Sequence, residues 1–163
     1  MKKLSFVLVL LCFLGPSFSY AQTTSRVALE SGFLSADKYT SAFFGFSLPM
    51  PRDLAYHLAR VSSQRNERYL FGLTAEKGHT VFAISAQQMD TKSADQALLP
   101  PKISLNGRQF SKYFSKRKVS EGVLWETQYL TSANGYLLEF NIQSLDANVA
   151  EELQHCVEAI EFF

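Results

Sequence analysis

Glu151, Glu152, His155 and Cys156 place two carboxylates, an imidazole and a thiol within six residues. These are the groups that hold metals or make nucleophiles. Their spacing argues against both uses. On a helix, His155 and Cys156 point about 100° apart, a poor geometry for a Cys–His nucleophile. Glu151 and His155 form an i, i+4 acid–imidazole pair, which a solvated helix face explains as well as a metal does, and a structural zinc site needs more ligands. The other histidines, His57 and His79, stand at no recognised zinc spacing from a further His, Cys or acid. No G-x-S-x-G elbow and no phosphate-cradling glycine pattern occurs. Asp90 and Asp95 flank a predicted helix start, where capping and solvation account for them. The reading therefore names no catalytic residue, no metal ligand and no cofactor site. An enzyme with dispersed catalytic residues would leave no such trace.

The remaining concentration of chemistry is FSKYFSKRK, residues 110–118, with four cations among three aromatics. If it is a strand, Arg108, Phe110, Lys112, Phe114, Lys116 and Lys118 share one face, and Gln109, Ser111, Tyr113, Ser115 and Arg117 share the other. Neither face is cleanly apolar, so such a strand is expected to bulge, to lie at an edge or to end near Phe114. Lysines on an edge strand are a standard defence against edge-to-edge aggregation, and this is the first reading of the segment. The second makes Lys112, Lys116, Arg117 and Lys118 the contacts for an anion or partner. Nucleic acid is a poor candidate, because the basic run is short and the domain is nearly neutral.

The 163 residues carry 16 Lys and Arg against 15 Asp and Glu. The N-terminus reads as an export signal: Lys2 and Lys3, an apolar run from Leu4 to Leu14, a breaker at Pro16, and small residues at Ser19 and Ala21. Cleavage after Ala21 would leave about 142 residues, enough for one well-packed domain. It would also remove Cys12, leaving Cys156 with no internal disulfide partner. The apolar run is shorter than the ~20 residues a membrane span needs, so no transmembrane segment is expected after cleavage. The expected location is periplasmic or secreted.

The elements that would position these residues follow from periodicity. Residues 22–38 read as a flexible lead-in, and the globular domain as 39–163. Phe43 to Leu48 reads as a strand stopped by Pro49 and Pro51. Leu54, Leu58 and Val61 suggest a short helix over Asp53–Ser62. Tyr69–Ala75 and Thr80–Gln87 read as a hairpin around EKGH, the second strand apolar enough on both sides to be covered on both. Ser93 to Gln96 matches a capping box, opening a helix that Pro100 ends. Arg108–Val119, Val123–Thr131 and Tyr136–Ser144 read as a meander, with turns at Glu121-Gly122 and Asn134-Gly135 and a further turn at Asn106-Gly107. Tyr136, Leu138, Phe140 and Ile142 alternate with Leu137, Glu139, Asn141 and Gln143, so one face is buried. Val149, Leu153, Cys156, Val157 and Ile160 form the apolar stripe of a last helix, capped by Asp146 or Asn148. That stripe includes Cys156, which therefore reads as a small buried hydrophobe.

A tyrosine followed by FFGFSLPMP, then a hairpin, a short helix before prolines, LNGRQF opening a meander, NGYLLEF, and a C-terminal helix ending in IEFF: this layout resembles the PsbP-like superfamily. The resemblance covers about Tyr39 to Phe163. It implies an α+β domain, a central antiparallel sheet flanked by helices in an α/β/α sandwich, and carries no binding residue across. The resulting expectation is a non-catalytic binding or accessory module of the cell envelope, its partner an envelope protein, a lipid or another polymer. The alternative is a small-ligand carrier, or an enzyme, with a pocket between sheet and helices.

Overall fold

The structure, a computed structural model, describes residues 32–59, 68–89 and 101–163. The expected signal segment 1–21, most of the lead-in and the helix expected from Ser93 lie outside the described residues.

Three hairpins build the larger sheet. The strands β5 (Arg68–Lys77) and β6 (Thr80–Gln88) meet at Gly78-His79, with Lys77 opposite Thr80. The strands β7 (Lys102–Leu105) and β8 (Arg108–Val119) meet at Asn106-Gly107, and β9 (Gly122–Ala133) and β10 (Tyr136–Ser144) at Asn134-Gly135. In each Asn-Gly turn both residues have positive φ: 44° and 82° in one, 52° and 80° in the other. That is the backbone a two-residue hairpin needs to match strand twist, and Asn-Gly adopts it at least cost. With β4 (Ala55–Ala59) at one edge, the sheet is seven-stranded and antiparallel in the order β4-β5-β6-β10-β9-β8-β7.

A smaller antiparallel sheet is made of β1 (Phe33–Leu34), β2 (Lys38–Ser41), β3 (Phe46–Pro49) and β11 (Glu161–Phe162). The stretch expected as lead-in thus contributes β1. The helix α1 (Ala147–Glu158) is capped by Asp146, whose carboxylate accepts from the backbone of Asn148 and Val149. Small sheet and helix pack on the same face of the large sheet. Phe46 meets Phe140 with ring centroids 5.5 Å apart, and Phe110 meets Phe140 at 6.2 Å. Leu153 and Val157 of α1 complete this core with Phe82, Ile84, Leu138 and Ile142.

Three expectations are corrected. The fold is not a helix-flanked α+β sandwich. It is mostly β, two antiparallel sheets with one helix among the described residues. The stretch expected as a helix over Asp53–Ser62 is strand β4 as far as Ala59, paired with β5 from Ala55↔Glu76 to Ala59↔Gly72. The misreading has a simple cause. The i, i+4 spacing that suggests a helix starts at Leu54, which lies just before β4 and is buried, whereas Leu58 on the strand is exposed. Val61, the next residue of that spacing, lies outside the described residues. Similarly, β6 is buried on one face only: Phe82, Ile84 and Ala86 are in the core, while Val81 is exposed.

Candidate functional site

The strand that carries the basic segment runs unbroken. Its register with β9 is continuous from Ser111↔Leu130 to Val119↔Gly122, with no bulge and no stop at Phe114. On its other side β7 accompanies it only from Arg108 to Ser111, and the Lys112 amide then donates to the Pro101 carbonyl. On the far side of β9, β10 ends at Ser144, opposite Trp125. Among the described residues, Arg117–Leu124 is therefore a two-stranded tip standing clear of the sheet. The turn residues are Ser120 and Glu121, one position earlier than expected.

This register divides the four expected contacts into three environments. Lys112 lies beneath α1, with 27% of its side chain exposed, and its Nζ is 2.7 Å from Glu158 Oε1. The Tyr129 hydroxyl donates to the same oxygen at 2.8 Å, and Lys112 stands over the Tyr129 ring. Burial works to raise the Glu158 pKa, but the hydrogen bonds from Lys112 and Tyr129, with the Lys112 and His155 charges, outweigh it and hold the carboxyl below the usual range. Burial, then the bond to Glu158, pushes the Tyr129 phenol far up. Lys112 is a clamp between helix and sheet. Arg117 lies on the opposite sheet face, its Nε 3.1 Å from Glu126.

Lys116 and Lys118 remain, and the register sets them opposite Trp125 and Val123. The Lys116 Nζ sits 3.6 Å from the centroid of Trp125 and 5.4 Å from that of Phe114, a cation–π arrangement on both rings. Phe114 is 51% exposed and Val123 45% exposed. Between this face and α1 runs a cleft of about 520 Å³ lined by Lys112, Phe114, Trp125, Ala147, Glu151 and Gln154. Composition points to the cations of this segment; Phe114, Val123 and Trp125 become parts of the same surface only through the cross-strand register. The signal was available: a turn at Ser120-Glu121 instead of Glu121-Gly122 would have set Lys116 against Trp125.

The acid–His–Cys stretch is chemically quiet. His155 is 70% exposed and flanked by Glu151 at 3.8 Å and Glu158 at 4.0 Å, a solvated helix-face pairing. Cys156 is half-buried, and burial, followed by the Glu152 charge, pushes its thiol up to about 11. His57 is on β4 and His79 in the β5–β6 turn. Among the described residues, no group of three His, Cys, Asp or Glu side chains is placed to hold a metal ion. Away from that cleft, Leu153 and Val157 of α1 pack into the buried aromatic core.

No protein-family model and no curated protein matches the chain. Solved structures do. One is a crystal structure, at 1.50 Å resolution, of a protein from Bacteroides thetaiotaomicron VPI-5482, with TM-score 0.53 and 12% identity over 80% of this chain. This chain spans about half the length of that protein, 49%. Another is the solution structure of cyanobacterial PsbP (CyanoP) from Synechocystis sp. PCC 6803, with TM-score 0.45 and 8% identity, covering 81% of this chain and 96% of that one. The chain thus shares its fold with the Bacteroides protein.

Proposed function

We propose that the protein is a non-catalytic binding or accessory module of the cell envelope, and that its contact surface is the face running from Phe114, Lys116 and Trp125 at the end of the sheet to Lys118 and Val123 on the tip. The observation that carries this reading is the exposure of two large apolar side chains, Phe114 and Val123, beside a lysine already stacked on Trp125. A solvated edge that only guards against aggregation needs the lysines but gains nothing from exposed Phe and Val. The features of residues 1–21 support export. No helix among the described residues is long and apolar enough to cross a membrane.

Site-specific photocrosslinking tests the reading. A photoreactive residue at Val123 in expressing cells is expected to form a discrete adduct. The same residue at Val81, exposed on the opposite face of the large sheet, is expected to form none. Equal labelling at both positions, or none at Val123, would remove the tip as the contact surface.

A further inference from the structure

Resting on that surface, the chemistry of the tip narrows its partner. The Lys116–Trp125 pair is the last one flanked by β10, and three more residue pairs follow before the turn. At ~3.3 Å per residue the tip stands about 10 Å beyond the sheet. On this projection the face carries Lys118 and Val123, and it continues into the sheet as Lys116, Trp125 and Phe114. Residues 114–125 hold three cations, Lys116, Arg117 and Lys118, against one carboxylate, Glu121. Arg117 is occupied by Glu126 on the other face. Glu121 accepts from the Ser120 hydroxyl beside it in the turn. Among the described residues, no carboxylate lies within ion-pairing distance of Lys116 or Lys118.

A soluble polyanion would satisfy the two lysines but leave Phe114 and Val123 in water. A folded protein partner would have to be concave around a narrow projection. The outer layer of a phospholipid bilayer meets both demands at once. Its phosphates sit at the depth a lysine reaches, and its upper acyl region accepts Phe and Val. The zone between is the one tryptophan prefers. We infer that this face docks the protein on an anionic phospholipid surface, with Phe114, Val123 and Trp125 entering the interfacial layer and Lys116 and Lys118 meeting lipid phosphates. A tip this small gives weak, reversible and salt-sensitive attachment, because each lysine acts only within a Debye length of the surface.

Trp125 is the only tryptophan in the chain, so its fluorescence reports the event directly. The processed chain, recovered from expressing cells, is mixed with vesicles of phosphatidylglycerol and phosphatidylcholine, or of phosphatidylcholine alone. The expected result is a blue shift of Trp125 and co-sedimentation with the anionic vesicles only, both reduced by 0.5 M salt. Lys116→Ser and Lys118→Ser should each lower partitioning roughly fivefold, the equivalent of about 1 kcal/mol per cation near a charged surface. Phe114→Ser should weaken binding without changing its salt dependence. All are variants of one chain, so its N-terminal segment contributes equally throughout. Vesicle binding that ignores these substitutions, or no vesicle binding at all, overturns the inference. If Val123 still crosslinks while vesicles do not bind, the lipid partner fails and the contact surface stands. If Val123 does not crosslink and vesicles do not bind, both fail together.

Discussion

Lys112 separates from its neighbours in sequence once its energetics are followed. Its Nζ and the Glu158 carboxylate are 2.7 Å apart, a gross attraction of about 6 kcal/mol at an effective dielectric of ~20. Most of that offsets desolvation of two half-buried charges and the freezing of a long side chain. Exposed pairs are worth roughly 0–1 kcal/mol, and breaking fully buried ones costs about 3–5 kcal/mol. With 27% and 34% of the two side chains exposed, Lys112→Ser should cost about 2 kcal/mol, including the loss of its stem over Tyr129. For a domain of this size that is a fall in Tm of roughly 6–8 °C. Lys118→Ser, on the free tip, should stay within about 0.5 kcal/mol of the parent. The assay is urea unfolding of the parent, Lys112→Ser, Glu158→Gln and the double variant, closing a cycle whose coupling energy should be about 1 kcal/mol at neutral pH. The sign with pH follows from the depressed Glu158 pKa. The coupling is fully present above the unfolded carboxyl value, about 4.3, and is lost as pH falls through the lower folded value. Equal stability of Lys112→Ser and Lys118→Ser, or a coupling energy that survives full acidification, would refute the clamp.

Gly135 has φ 80° with open space where a Cβ would stand, so Gly135→Ala should lower stability by about 1 kcal/mol through backbone strain alone, measurable by thermal unfolding. With its thiol pushed up to about 11, Cys156 should react with iodoacetamide at pH 8 at least tenfold more slowly than a free cysteine of ordinary pKa near 8.5, the rate climbing steadily towards pH 11. A rate matching that of free cysteine would contradict its burial on the helix stripe.

The turns and the alternating strands of the second half were legible because local chemistry and tertiary need agree there. Asn134-Gly135 demands a two-residue hairpin, and the alternation around Leu138, Phe140 and Ile142 demands one buried face, which all three occupy. The strand β4 was not legible, because the helical spacing there starts at Leu54, just outside the strand, and the deciding influence is the β5 edge, supplied by residues 13 to 21 positions further on. Nor was β7: KISL is short, and its identity as a strand depends on β8 beside it. The same holds for the candidate site. The cations were visible as composition, but whether each meets a carboxylate, an aromatic ring or water is set by cross-strand register. Register was one turn residue away from the one expected, and a small slip re-pairs every side chain along the tip.

The two Asn-Gly turns hold one more consequence. The Asn134 side-chain amide donates to the Phe43 carbonyl, and that of Asn106 to the Ile160 carbonyl, so each of these two turns is tied to the layer packed on the large sheet by the amide of its own asparagine. Asn-Gly is also the dipeptide most prone to lose that amide by hydrolysis through a succinimide. Conversion to aspartate would replace the donor with a negatively charged acceptor facing a carbonyl oxygen, and conversion to isoaspartate would lengthen the backbone of a turn with no spare length. The atoms that join the layers are thus those with a limited chemical lifetime, so the protein carries at two of its seams a record of its own age.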